Sequence, residues 1–245
     1  MITLAIECAT RTIGIAFLDQ QKVLAELYLD AGVGHAEVLM PALEKLFLLT
    51  GLTAERIDLL ACTTGPGSFT GVRIGVSTIK GLALATGKPI VGVSTLEAMA
   101  MNAFPSRRLI CPLLDARKNQ VYAGLYRAGP DGLPEAVAPD RLTDIRFLVK
   151  TLVDEEVDFV GEAAVLYQKQ IFEEGVRGFV LQPCRCCRLN ASAVGLIGFH
   201  RYQDGRTEDP LTFSPRYLRP PGTPCKVSPA ENDGAKQARG SSTFR

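Results

Sequence analysis

Gly65-Pro66-Gly67-Ser68-Phe69-Thr70-Gly71-Val72-Arg73-Ile74-Gly75 stands between an apolar strand-like run, Leu59 to Thr63, and a run of helical character, Val72 to Ala85. Gly65 and Gly67 flank Pro66 and permit a tight turn that residues with a Cβ resist. Ser68 is placed to cap the helix that follows, leaving backbone N–H groups at a positive helix end. That combination suits an anion, yet neither common phosphate fingerprint is present. A P-loop closes on Gly-Lys-Ser/Thr, whereas Gly71 is followed by Val72-Arg73; a dinucleotide loop counted from Gly65 needs glycine where Thr70 stands.

The same stretch has a packing signature. Gly67, Gly71 and Gly75 recur at i, i+4 spacing, and Ser77 and Thr78 extend the small-residue surface. Each helical glycine costs roughly 1 kcal/mol relative to alanine. Close approach by another backbone is the usual compensation. A helix of the same domain, a partner protein or a nucleotide would each supply it.

Working outward, the chain has 245 residues, enough for one substantial core or two smaller lobes. Hydrophobic residues make up 47% and the formal net charge is +1. That balance argues against a lone domain that grips nucleic acid, which is usually strongly basic. Seven cysteines, an odd number, and no basic leader in Met1-Ile2-Thr3-Leu4-Ala5-Ile6 point to free thiols in a reducing compartment. No apolar stretch approaches the ~20 residues that span a membrane. These features predict a soluble cytoplasmic protein without membrane association.

Along the chain, strands are expected at Ile2 to Ile6, Ile13 to Leu18 and Val23 to Leu29, followed by a helix from Ala36 to Leu49 with Pro41 tolerated in its first turn. A strand at Ile57 to Thr63, the glycine turn and its helix, a strand from Pro89 to Val93, and a short helix capped by Ser94 or Thr95 complete the first half. Pro105-Ser106-Arg107-Arg108 reads as a boundary. The pattern then returns: Leu109 to Leu114 ends in Asp115-Ala116-Arg117 before Val121 to Tyr126, as Ile2 to Ile6 ends in Glu7-Cys8-Ala9 before Ile13 to Leu18. Strand, acidic residue, small residue, polar turn, strand is the shared order, and it predicts two related lobes. In the second half, helices are expected at Leu142 to Leu152 and Ala163 to Phe172, strands at Val157 to Val160 and Phe179 to Leu181, and a helix from Asn190 or Ser192 to Tyr202. From Pro220 onward Pro, Gly, Ser and charge dominate, the composition of a disordered tail.

The glycine segment, the Leu114-Asp115-Ala116-Arg117 turn leading to Val121-Tyr122, and the late Pro215-Arg216-Tyr217-Leu218-Arg219 resemble the signatures of the TsaB family over residues 1 to about 219. The resemblance implies an α/β, actin-like (ASKHA, ribonuclease H-like) two-lobed fold with a mixed sheet in each lobe. The lobes are then 1–105, carrying docking helices, and 106–219, whose last helix (about 190–203) packs back on the first. It further implies a non-catalytic subunit in the synthesis of threonylcarbamoyladenosine on tRNA. Its partners would be the catalytic TsaD, the ATPase TsaE and, through the complex, tRNA, with homodimerisation open to the free chain. The partner-binding residues would be His35, Glu37, Leu39, Leu43, Gly67, Ser68, Thr70, Gly71, Val72, Arg73, Gly75 and Thr78. On this reading a bulky residue at Gly71 or Gly75 abolishes the heterodimer and leaves the monomer folded. Glu7, Thr10 and Asp115 are the nucleotide-proximal candidates. No catalytic residue, no metal and no cofactor is expected on this chain alone, with ATP or ADP left to the assembled complex.

Two departures bear on chemistry. A two-histidine metal site needs imidazoles at i, i+4 on one helix face, and the position four after His35 is Leu39. The first turn of the family usually carries Asp where this chain has Glu7. Both weaken the alternatives, an autonomous ASKHA phosphotransferase or ATPase and, further off, a metallopeptidase. Cys184, Cys186 and Cys187 form a Cys-x-Cys-Cys cluster with only His200 and Cys225 as later ligand candidates, so incidental or reactive thiols are the default. Cys8, Cys62 and Cys111 read as small core residues. Arg107-Arg108, Arg117-Lys118 and Arg216 with Arg219 read as solvated cations that could touch tRNA in a complex.

Overall fold

A computed structural model describes residues 1–30, 34–180 and 189–219. The tail from 220 and the cysteine cluster at 184–187 lie outside the described residues. Among the described residues ten strands form two five-stranded sheets. The first contains β1 (Ile2–Glu7), β2 (Ile13–Asp19), β3 (Lys22–Leu29), β4 (Leu59–Gly65) and β5 (Ile90–Ser94), in the order β3-β2-β1-β4-β5. The second contains β6 (Leu109–Asp115), β7 (Gln120–Ala128), β8 (Pro134–Asp144), β9 (Glu156–Val160) and β10 (Arg177–Val180), in the order β10-β9-β6-β7-β8. Position for position the orders are the same. The lead strand pairs antiparallel with the next, with Leu4 opposite Phe17 and Leu113 opposite Ala123, and parallel with the fourth, with Leu4 opposite Leu60 and Ile110 opposite Asp158. The repeat legible in one hairpin of sequence extends through both sheets, giving a two-lobed α/β arrangement.

The faces of β1 explain the layers. Thr3 to Glu7 are buried throughout, as expected of a central strand covered on both sides. Leu4 and Ile6 enter a cluster with Leu39, Leu43, Val72 and Ile79, which come from α1 (His35–Thr50) and α2 (Phe69–Thr86). Ala5 points the other way, with Ala16 and Ala61, toward Val194 and Ile197 of α7 (Ala191–Gln203). The small side chains on this second face admit the helix closely. A second cluster residue set, Leu96 and Met99 of α3 (Thr95–Ala100) with Ile110, Leu114 and Val160, continues the same apolar cluster into the other lobe. The outer face of the second sheet is covered by α4 (Ile145–Lys150), α5 (Glu162–Leu166) and α6 (Gln168–Glu173), around Leu113, Val121 and Phe159. Cys8, Cys62 and Cys111 are buried free thiols.

Three departures from the expected elements have local causes. β8, which carries Pro134 and Pro139, is not among the expected elements. It is an edge strand paired only to β7, with register shifts around Leu125, where proline is tolerated. Its extension to Asp144 shortens the expected helix at 142–152 to Ile145–Lys150, capped by the Asp144 carboxylate, which accepts from the Arg146 and Phe147 amides. The expected helix from Ala163 to Phe172 breaks at Tyr167, whose φ of −102° and ψ of 15° are not helical. Ser68 and Ser94 are the caps of α2 and α3, Ser68 accepting from Gly71 N–H at 3.2 Å.

The glycines of α2 require a correction. Gly67 precedes the cap at φ +155°, and a Cβ there would lie 2.1 Å from the Ala9 carbonyl oxygen. A Cβ on Gly71 would lie 2.0 Å from the Cys8 carbonyl oxygen, and one on Gly75 would touch Cys8 Cβ at 3.4 Å. The compensating backbone is therefore the end of β1, inside the same lobe. Gly71, Val72 and Gly75 are buried, as are Leu39 and Leu43, so these five residues of the expected docking set belong to the core. Bulk at Gly71 would strike the fold itself, not a partner alone. Gly71→Ala is accordingly expected to cost about 1–3 kcal/mol of stability by overpacking. Gly75→Ala meets an ordinary contact and gains up to ~1 kcal/mol of helix propensity. Denaturant unfolding of the two variants checks this, and equal destabilisation would count against it.

Candidate functional site: a cleft between two turns and an exposed helical face

The two pseudo-equivalent hairpin turns and the glycine turn meet at a cleft of about 780 Å³ between the lobes. Thr10 and Arg11 come from the first turn, Gly67, Ser68 and Phe69 from the glycine turn, and Asp115 and Arg117 from the second-lobe turn, with His35, Glu162 and Arg219 completing the walls. Of the three nucleotide-proximal candidates, Thr10 and Asp115 line this space. Glu7 does not: it is fully buried. Its Oε1 accepts from the Ala9 N–H at 2.5 Å and the Thr10 N–H at 3.1 Å, and its Oε2 lies 3.3 Å from the Thr10 hydroxyl, which in turn lies 2.9 Å from that of Thr12. The Ser68 N–H, at the start of α2, donates to the Ala9 carbonyl at 2.6 Å.

These contacts decide what the first turn can do. A metal–nucleotide complex would need a carboxylate open to the cleft and amides free to meet phosphate. Here the carboxylate is sealed away and the Ala9 and Thr10 amides are bonded to it, so the residues do not fit that group. The second turn differs. Asp115 is half-buried at the cleft wall, and its Oδ1 accepts from the Arg117 N–H at 2.9 Å and the Tyr167 hydroxyl at 3.1 Å. Burial, then the Asp115 charge, raise the carboxyl pKa of Glu162 beside it. His35 Nε2 lies 3.1 Å from the Thr10 carbonyl and 3.2 Å from that of Thr12. Both neighbours are acceptors, so this nitrogen carries the proton and ties the start of α1 to the first turn. Among the described residues no group of three or more His, Cys, Asp or Glu could hold a metal ion.

The rest of the expected docking set is accessible. Glu37, Ser68, Thr70 and Arg73 are exposed, and His35, Gly67 and Thr78 are half-buried. Around them the outer faces of α1 and α2, adjacent helices, also expose Met40, Pro41, Phe69 and Leu84. Sequence reasoning missed Phe69 and Met40, although apolar residues on the otherwise polar side of an amphipathic helix are the available signal. It also missed a polar joint between the lobes. Asp140 of β8 accepts from the Ser94 hydroxyl and, at 2.6 Å, from the Tyr126 hydroxyl. Nearby, Glu97 pairs with Arg201 of α7 at 2.5 Å. Burial raises the pKa of both carboxyls.

Burial also pushes Glu7 from its ordinary value of 4.5 up to about 8, against the lowering effect of its three hydrogen bonds. A proton on Oε2 can be donated to the Thr10 hydroxyl, which then donates to Thr12. The folded chain thus holds a proton that the unfolded chain has released between these two values, so stability is fully present below the unfolded pKa and falls as pH rises through the folded one. Glu7→Gln keeps the same bonding, its carbonyl accepting from both amides and its NH2 reaching Thr10. Thermal midpoints of the native chain should fall between about pH 5 and about pH 8.5 more steeply than those of the variant, and parallel curves would refute a neutral Glu7.

A family profile described as "TsaD: tRNA N6-adenosine threonylcarbamoyltransferase" matches residues 30–177. The chain is 38% identical over 185 residues to the Bacillus subtilis tRNA threonylcarbamoyladenosine biosynthesis protein TsaB, covering 74% of this chain and 80% of that one. It is 35% identical over 135 residues to the Escherichia coli protein of the same name, covering 54% and 58%. The solved structure "YeaZ from Pseudomonas aeruginosa" superposes with a TM-score of 0.75 at 24% identity, over 89% of this chain and 99% of that one, and shows the fold. With a relative 38% identical and aligned over four-fifths of that relative's own length, this chain belongs to the TsaB family.

Proposed function

We propose that the chain is a non-catalytic partner subunit for threonylcarbamoyl transfer to the adenosine 3′ of the anticodon, in tRNAs that read codons beginning with A. It docks to and activates a TsaD-type catalytic subunit and works with TsaE, in the cytoplasm. The role named for the relatives, tRNA threonylcarbamoyladenosine biosynthesis, supports the process. The observation that carries the partner role is the contrast between its two surfaces. The first turn is closed on its own carboxylate, while the adjacent outer faces of α1 and α2 expose Met40, Phe69 and Leu84 among polar residues. Apolar side chains exposed among polar ones on two adjacent helices favour a protein contact there. The same face, left unoccupied, suits self-association of the free chain, and tRNA, ATP or ADP would be met through the assembled complex.

An autonomous phosphotransferase draws no support from a first turn whose amides are already bonded, nor a metallopeptidase from a His35 that donates to carbonyls. The deciding experiment is reconstitution of the modification with TsaD, TsaE, threonylcarbamoyl-adenylate and tRNA, with and without this chain. Modification is expected to require it, and equal yields without it would overturn the reading. Met40→Glu and Ser77→Arg, both on exposed positions of the two helices, are expected to weaken binding to TsaD by about tenfold or more while leaving the thermal midpoint of the free chain unchanged. Isothermal calorimetry and thermal melts of each variant check this pair of outcomes.

A further inference from the structure

After Phe213, which is buried in the first-lobe core, the chain runs as an extended strap across the glycine turn to the second lobe. The Arg216 N–H donates to the Thr64 carbonyl at 2.8 Å, and the Arg216 carbonyl lies where a Cβ on Gly65 would stand, 2.7 Å away. Three residues on, the Arg219 guanidinium donates to the Ala116 carbonyl at 3.2 Å and to Gln120 Oε1 at 2.7 Å. The strap is thus pinned at both ends, and Tyr217 stands between the pins.

Tyr217 meets α2 at Arg73. The Arg73 Nε–H donates to the Tyr217 hydroxyl at 2.7 Å. Its guanidinium carbon lies 3.7 Å from the centroid of the Phe69 ring, and the Phe69 and Tyr217 rings are 5.0 Å apart. An arginine on an exposed helix face ordinarily samples many rotamers and loses that freedom when it binds. This one is already held, by a cation–π contact from below and a hydrogen bond at Nε. Among the described residues its two terminal amino groups have no hydrogen-bond partner and no ion pair. A planar fork fixed in this way matches a carboxylate bidentately.

We propose that Arg73, positioned by Tyr217 and Phe69, is a preset receptor for a carboxylate of the protein that docks on α2. This rests on the docking reading above and adds the chemistry of one contact on the partner: an aspartate or glutamate facing the start of α2. Tyr217 is a positioning residue. It lowers the ordering cost of the contact and acts only through Arg73, which is why a segment distant in sequence, Pro215 to Arg219, belongs to the docking surface.

The test measures affinity for TsaD at low and high salt, for the full chain and for Arg73→Met, Arg73→Lys, Tyr217→Phe and Arg73→Met with Tyr217→Phe. Arg73→Met is expected to weaken binding by about tenfold and to flatten its salt dependence. Arg73→Lys should recover little, since an ammonium offers no fork. Tyr217→Phe, which keeps the ring and removes only the acceptor, should weaken binding by roughly three- to tenfold. The double variant should bind no more weakly than Arg73→Met alone. If the native chain binds TsaD while Arg73→Met or Tyr217→Phe binds as well as it does, or the two effects multiply, this inference falls and the docking reading stands. If the native chain does not bind, both fall.

Discussion

The close apposition of α2 on the end of β1 is the constraint on which the rest of the structure depends. Cys8 and Ala9 present carbonyl oxygens to Gly71 and Gly67 at distances that exclude any Cβ. That contact sets the angle at which α2 leaves the glycine turn, and through it where α1, packed beside α2, can lie. It draws the Ser68 N–H onto Ala9 and so uses a donor that a helix N-terminus would otherwise offer to an anion. One backbone contact therefore supplies the compensation for helical glycine and narrows the chemistry of the turn.

The two lobes show how a duplicated plan diverges. Both sheets have the same strand order, and both lead strands end in an acidic residue beside a polar turn. In the first lobe the longer Glu7 side chain folds back onto the turn amides and is sealed from solvent; in the second, Asp115 stays at the cleft wall. The cleft has room for a ligand, while the Ala9 and Thr10 amides of the first turn are bonded to the chain's own Glu7. What the molecule presents outward instead is the outer face of α1 and α2, bordered by a pinned C-terminal strap and an arginine held in one orientation.

Much of this was legible beforehand. The strand–turn–strand repeat, the glycine turn, the Ser68 cap and the long helices followed from periodicity and turn chemistry, because those signals are local. β8 was hidden, since Pro134, Pro139 and charge are permitted on an edge strand that only its neighbour β7 requires. The break at Tyr167 was hidden too, because an apolar helical pattern does not reveal a change of direction. Of the candidate docking set, Leu39, Leu43, Gly71, Val72 and Gly75 turn inward. Glycines at i, i+4 announce a close approach without saying from which side.

By itself, then, the sequence determined most of the elements, the duplication and the lack of phosphate and two-histidine fingerprints, all of which depend on neighbours within a few residues or on spacing alone. Only the tertiary structure decided that Gly71 and Gly75 face inward, that Glu7 is sealed while Asp115 is not, and that Tyr217 reaches Arg73 from 144 positions away. The reason is physical. Helix and strand arise from local backbone preferences, whereas which carbonyl fills the space beside a glycine, and which side chain loses its water, depend on segments that meet only when the chain has folded.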